Sequence, residues 1–162
     1  MTPSISLLSQ NSINRSKKIA FTIVLLLTVT ISYSFAAPAD SINGQITASF
    51  QKHFKNAKLI GAETGRHFTK VTFKMNEIVL FAFYSDNGQL LAVTRNILSS
   101  QLPIELMMNL KKNYTAFWIT DLFELNGDTE NCYYVTLENA DTRVVLRSTD
   151  SSSWEVYQKT NK

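Results

Sequence analysis

A two-residue period beginning at His67 constrains this chain more than any other feature. Val71, Phe73 and Met75 alternate with Lys70, Thr72 and Lys74, so one side of an extended segment is apolar and the other polar. A half-buried strand of this kind needs an antiparallel neighbour, and the sequence supplies one. Ile78 to Tyr84 (IVLFAFY) is apolar on both faces, as a central strand is. Asp86-Asn87-Gly88 then closes it with residues that tolerate the positive φ angles of a hairpin turn. Gln89 to Ile97 returns as the next strand, and Lys58 to Gly65 precedes the set as a short one. Ahead of them, Asp40 or Ser41 can cap a helix whose Ile42, Ile46, Phe50 and Phe54 recur on one stripe.

The same order then returns. Ser100-Gln101-Leu102-Pro103 opens a second helix with Leu106, Leu110 and Tyr114 on its apolar stripe. Ala116 to Leu125, Asn131 to Leu137, Thr142 to Arg147 and Trp154 to Lys159 read as four strands, with turns at Asn126-Gly127, Ala140-Asp141 and Asp150 to Ser153. Lys55-Asn56-Ala57 overlays Lys112-Asn113-Tyr114, and Tyr84 to Gly88 overlays Ser148 to Ser152. The expected fold is α+β: a tandem repeat of helix plus antiparallel sheet, halves at about 40–98 and 99–160, with both helices on one face.

Residues 1–37 have the layout of an export signal. Arg15, Lys17 and Lys18 form a basic head, Ile19 to Ile31 an uncharged apolar middle, and Ala36 or Ala39 the small-residue cleavage site. Residues 38–162 then form one periplasmic or extracellular domain. Cleavage also changes the charge balance. Of sixteen Lys and Arg, the three in the leader are lost, which leaves thirteen against thirteen Asp and Glu. A chain with no basic surplus is not built to neutralise phosphates, so nucleic acid is excluded as a partner. Membrane contact is not expected once the leader is gone. Cys132 is the only cysteine, so stability rests on the core without an internal disulfide.

Several short segments, in order, carry a resemblance: Phe54-Lys55-Asn56-Ala57, the alternating strand, Phe83-Tyr84-Ser85-Asp86-Asn87-Gly88, the Leu102-Pro103 helix start, and Lys112-Asn113-Tyr114. Across about Ser41 to Tyr157 the chain resembles the PepSY-like, beta-lactamase-inhibitor-protein-like domains of secreted Bacteroidetes proteins. The resemblance implies an exported binding or inhibitor-like module with helices on one side of a sheet and a bare concave surface on the other.

No catalytic constellation stands out. His53 and His67 lie far in sequence from Cys132, and no nucleophile is spaced beside a base. The chain is therefore expected to be a non-enzyme without a cofactor. The alternative is a small-ligand or calcium-responsive protein, because Asp121, Glu124, Asp128 and Glu130 gather carboxylates around a glycine-containing turn.

Aromatic side chains mark the expected binding surface. If Val71, Phe73, Phe81, Phe83 and Val135 face the helices, alternation turns Tyr84, Trp118 and Tyr134 to the bare face, with Trp154 beside them. The expected partner is a protein or another envelope component. Charge is unevenly placed: Lys52, Lys55, Lys58, Arg66, Lys70 and Lys74 stand against Glu63, whereas Thr115 to Glu155 is dominated by acids. Such polarity can orient a partner.

Overall fold

The computed structural model of the chain describes residues 42–128 and 130–162, so the leader assigned to residues 1–37 lies outside the described residues. Helix α1 (Gly44–His53) is followed by β1 (Lys58–Thr64), β2 (Thr69–Met75), β3 (Ile78–Tyr84) and β4 (Leu90–Asn96). A short 3-10 turn, Ser99–Gln101, leads into α2 (Ile104–Asn113). Then come β5 (Trp118–Gly127), β6 (Asn131–Glu138), β7 (Thr142–Ser148) and β8 (Glu155–Asn161). The eight strands form one antiparallel meander in sequence order. Consecutive antiparallel strands need only short turns, so the chain's turn signals suffice to build it.

Asn43 caps α1, its side-chain oxygen accepting from the Gln45 N–H at 2.9 Å. The same side chain donates to the Asp86 carbonyl at 3.3 Å, which ties the β3–β4 turn to the start of the helix. Gly88 in that turn has φ +78°, and a Cβ there would meet the Gln45 carbonyl oxygen at 3.0 Å. Glycine is needed at this position both for its backbone and for the close approach. Asp40 and Ser41, the expected caps, lie outside the described residues. At the second helix Pro103 stands just before the first helical residue, and Gln101 accepts from the Leu98 N–H at 2.8 Å.

Each helix packs on its own set of strands. Ile46 and Phe50 of α1 meet Ala62, Val71, Phe73, Ala82 and Tyr84, with Phe50 edge-on to Phe73. Leu102, Leu106 and Leu110 meet Leu122, Val135, Leu137, Val144 and Leu146. The two helices end alike. Phe54 and Tyr114 each donate to the carbonyl four residues back, and Ala57 and Phe117 then donate to Phe54 and Tyr114. The β7–β8 loop also reaches back to a helix: the Trp154 indole N–H donates to the Leu106 carbonyl at 3.0 Å.

Four register shifts interrupt the ladders. Ile60, Leu91, Thr120 and Tyr157 are each an extra residue opposite a continuous partner strand. Ile60 and Tyr157 lie on the two outer strands, where a bulge discourages pairing with another chain. The expected turn at Asn126-Gly127 moves outward, because β5 runs through Gly127 and its N–H donates to the Glu130 carbonyl at 3.0 Å.

Leu106 is fully buried and Met108, two residues on, is 62% exposed. Leu106→Ala should lower the unfolding free energy by about 2–5 kcal/mol in a denaturant titration. Met108→Ala should change it by no more than about 0.5 kcal/mol.

Candidate functional site

Directly paired residues on antiparallel strands share a side of the sheet, so the registers define which residues lie together. Opposite the α1-packed residues Val71 and Ala82 stand Lys70, Thr72, Phe81 and Phe83. Opposite the α2-packed residues Leu122 and Val135 stand Phe123, Cys132, Tyr134 and Thr136. The rows run on across the sheet. Phe81 pairs with Thr94, Thr94 with Leu125, and Leu125 with Cys132. One row over, Asn96, Phe123, Tyr134, Arg147 and Glu155 pair in succession. We call this surface the second face.

Its centre is an aromatic layer around one arginine. Phe123 stacks on Tyr134 at 5.1 Å, and Tyr134 meets Tyr157 edge-on at 5.5 Å. None of the three belongs to either helix-packed cluster. Arg147, paired with Tyr134 in the ladder, is held by Glu130 and by Glu155 at 3.3 Å. Its side chain is 15% exposed, so these carboxylates supply charge compensation that water largely cannot. Burial pushes the Cys132 thiol up and Glu130 adds to the shift, against Arg147 and Tyr134, which favour the thiolate. A thiol held protonated is a poor nucleophile.

At the end of the same face, Trp118 pairs with Glu138 and is 53% exposed. Lys162 lies 5.6 Å from the Trp118 ring centroid and bonds Glu138 at 2.6 Å. Arg143 approaches Glu138 at 3.5 Å. The Lys162 hydrogen bond is the main reason the Glu138 carboxyl is held below its ordinary range.

Two of the four expected anchors sit elsewhere. Tyr84 is fully buried in the α1 cluster, because Ala82 pairs with Val71 and Tyr84 with Thr69 on that side. Phe81 and Phe83, expected under the helix, face the opposite way for the same reason. Trp154 packs on the α2 cluster through its indole bond to Leu106. Trp118 and Tyr134 lie on the second face as expected, but Tyr134 is fully buried in the 162-residue chain. It pairs with Arg147 across β6 and β7, and Trp118 is the exposed member.

The acidic hairpin residues are not brought together. Glu124 accepts from Arg95 Nε at 3.0 Å and Nη2 at 2.8 Å, and Glu130 is engaged by Arg147. Burial raises the Asp121 carboxyl, outweighing the Leu122 N–H and Arg143. Among the described residues no group of three or more His, Cys, Asp or Glu is placed to hold a metal ion. Arg147 escaped sequence reasoning, and Glu130 was read only as a possible cation ligand, because the two lie 17 residues apart in sequence.

No protein-family profile matches the sequence, and no curated protein matches it. Solved structures do. Two proteins of the DUF2874 family, from Bacteroides ovatus and Bacteroides uniformis, are similar with TM-scores of 0.65 and 0.64. Each is 12% identical; they match over 75% and 74% of this chain and 89% of their own. A BLIP-like protein from Bacteroides fragilis is similar at 0.62 and 15% identity, over 74% of this chain and 85% of its own. A protein from Bacteroides eggerthii, assigned provisionally to the periplasm, is similar at 0.63 and 9% identity, over 74% and 88%.

Two titrations check these placements. The Cys132 thiol should resist alkylation at pH 8 in the native chain and react once the chain is unfolded; equal rates would contradict its burial. Burial pushes the Tyr84 hydroxyl up to about 12 from 10.0. The unfolded chain therefore releases this proton first, and stability falls as pH rises above 10. Tyr84→Phe removes that part of the loss, so its alkaline unfolding midpoint should move upward.

What the sheet and its alternating sequence establish together is an α+β chain with the fold of BLIP-like Bacteroides proteins.

Proposed function

We propose that the chain is an exported, non-catalytic binding module that takes a protein or envelope component on its second face. The observation that carries this reading is the Phe123–Tyr134–Tyr157 layer, which lies outside both helix-packed clusters and adjoins Arg147, itself held by two carboxylates. Packed aromatics beside a fixed arginine are the composition found at interface centres. Trp118 supplies exposed contact area at the margin, and Lys162, Glu138 and Arg143 frame it with polar groups.

Both helices on the other face would leave this one to a partner, reached at its margin: Trp118 is 53% exposed, whereas Phe83, Phe123, Cys132 and Tyr134 are buried. The ladder supports that arrangement: Ala82 under α1 pairs with Val93, Val93 with Asn126, and Asn126 lies four residues along β5 from Leu122 under α2. A tandem repeat is supported as well. The helices, their closing bonds, and the bulges at Ile60 and Thr120 recur at a common spacing, and the loops before β4 and β8 both reach back to a helix. Export rests on the layout of residues 1–37, and the likeness to a BLIP-like protein favours binding over catalysis. A PepSY-like relationship is part of the same reading.

A photo-crosslinking amino acid at position 118 should give a discrete adduct in the native cell envelope, and the same group at position 108 on α2 should give none. No adduct at 118, or the same adduct from both positions, would remove the second face from the reading.

A further inference from the structure

Part of the exposed apolar surface, Ile60, Ile78, Val79 and Ile119, lies at one end of the sheet, while Ile104, Met108 and Val156 are exposed elsewhere. The odd-numbered strands of an antiparallel meander run the same way, so β1, β3 and β5 all start at one end. Both helices exit there, α1 into β1 through Phe54 to Ala57 and α2 into β5 through Tyr114 to Phe117. Ile78 and Val79 open β3 and are 44% and 43% exposed; Ile119 in β5 is 43% exposed, and the bulged Ile60 in β1 is 52% exposed.

Their exposure has a geometric cause. β3 pairs with β4 only from Phe81 onward, and β5 pairs with β4 only from Phe123 onward. The first residues of β3 and β5 therefore lack a neighbouring strand on the β4 side. Ile78 and Val79 are consecutive, so they project to opposite sides of the sheet.

Lysines surround this rim. Lys52 stands in the last turn of α1, Lys111 and Lys112 in the last turn of α2, Lys55 in the first connection, and Lys58 and Lys74 face each other across β1 and β2. Lysines suit helix C-termini for dipole reasons alone, but that does not account for Lys55, Lys58 or Lys74. Lys74 and Val79 are directly paired, so charge and apolar surface adjoin. The acids at this end are Glu77, which pairs with Lys74, Asp121 in β5, and Glu138 and Asp141 at the β6–β7 turn, where Lys162 and Arg143 face Glu138. Of the other acids at β5 to β8, Glu124 is engaged by Arg95, and Glu130 and Glu155 by Arg147.

We propose that this end of the sheet is a docking rim for an anionic lipid surface. A rim that is apolar on both sides of the sheet is half covered by a partner seated on one face, and fully covered when it enters a bilayer interface edge-on. Lysine stems lying along apolar surface with their ammonium groups at headgroup level complete that arrangement. The rim meets the second face at its margin, where Trp118 opens β5 beside Ile119. It replaces the expectation of a chain with no membrane contact, and it does not depend on what the second face binds.

The test must separate the rim from the apolar leader. Val79→Cys in the full chain carries an environment-sensitive dye, and Met108→Cys on the outer side of α2 is the control; Cys132 is buried and does not label natively. With vesicles of phosphatidylglycerol in phosphatidylcholine, the dye at 79 should brighten and the dye at 108 should not. The apparent affinity read at 79 should fall by about tenfold or more on Lys52→Gln/Lys55→Gln/Lys58→Gln. It should also weaken as salt rises from about 50 to about 500 mM. Pure phosphatidylcholine should leave the dye at 79 unchanged. An equal response with neutral vesicles, no response at 79 while the chain still binds, or a response to soluble polyglutamate in place of vesicles would each overturn the proposal.

Discussion

The pairing of β4 with β5 is the constraint on which the rest of this structure depends. Five residue pairs, from Ala92 with Gly127 to Asn96 with Phe123, join two helix-and-sheet halves into one sheet. Without them each half would have an extra open edge and a face too small for a continuous surface. At the centre of the seam Arg95 holds Glu124 through two of its nitrogens. A two-nitrogen grip on one carboxylate fixes direction as well as distance, and a slip of either strand by one residue would put the two groups on opposite sides of the sheet.

The seam also decides what each face is made of. Because the register carries through it unbroken, Phe81 and Phe83 of the first half are continuous with Leu125, Cys132 and Tyr134 of the second. Each half contributes a cation and aromatics to this surface in a different arrangement. Lys70 of β2 lies 4.9 Å from the Phe81 ring, whereas Arg147 of β7 lies beside Tyr134 of β6.

Much of this was legible in the sequence, and what was not has a physical reason. The alternation of β2, the Asn87-Gly88 turn and the Leu106, Leu110 stripe located elements to within a few residues because each reports a local preference. The faces were legible only where a strand alternates. Val71 and Phe73 were assigned correctly from their lysine and threonine neighbours, and Tyr84 was not, because β3 is apolar at every position and only its pairing with β2 chooses a side. Trp154 precedes its strand, so no period applied to it, and a single indole bond to α2 decided its place. The acidic hairpin read as a cation site because the arginines that engage Glu124 and Glu130 come from β4 and β7, far away in sequence.

Native-state hydrogen exchange at the β4–β5 seam tests the central claim most directly. If the eight strands are one cooperative sheet, the amides of Thr94 and Leu125 exchange only through global opening, with the same free energy as Val135 in the α2-packed core. Exchange at the seam through a much smaller opening, while both helix-packed clusters stay protected, would show two independent halves and no continuous face.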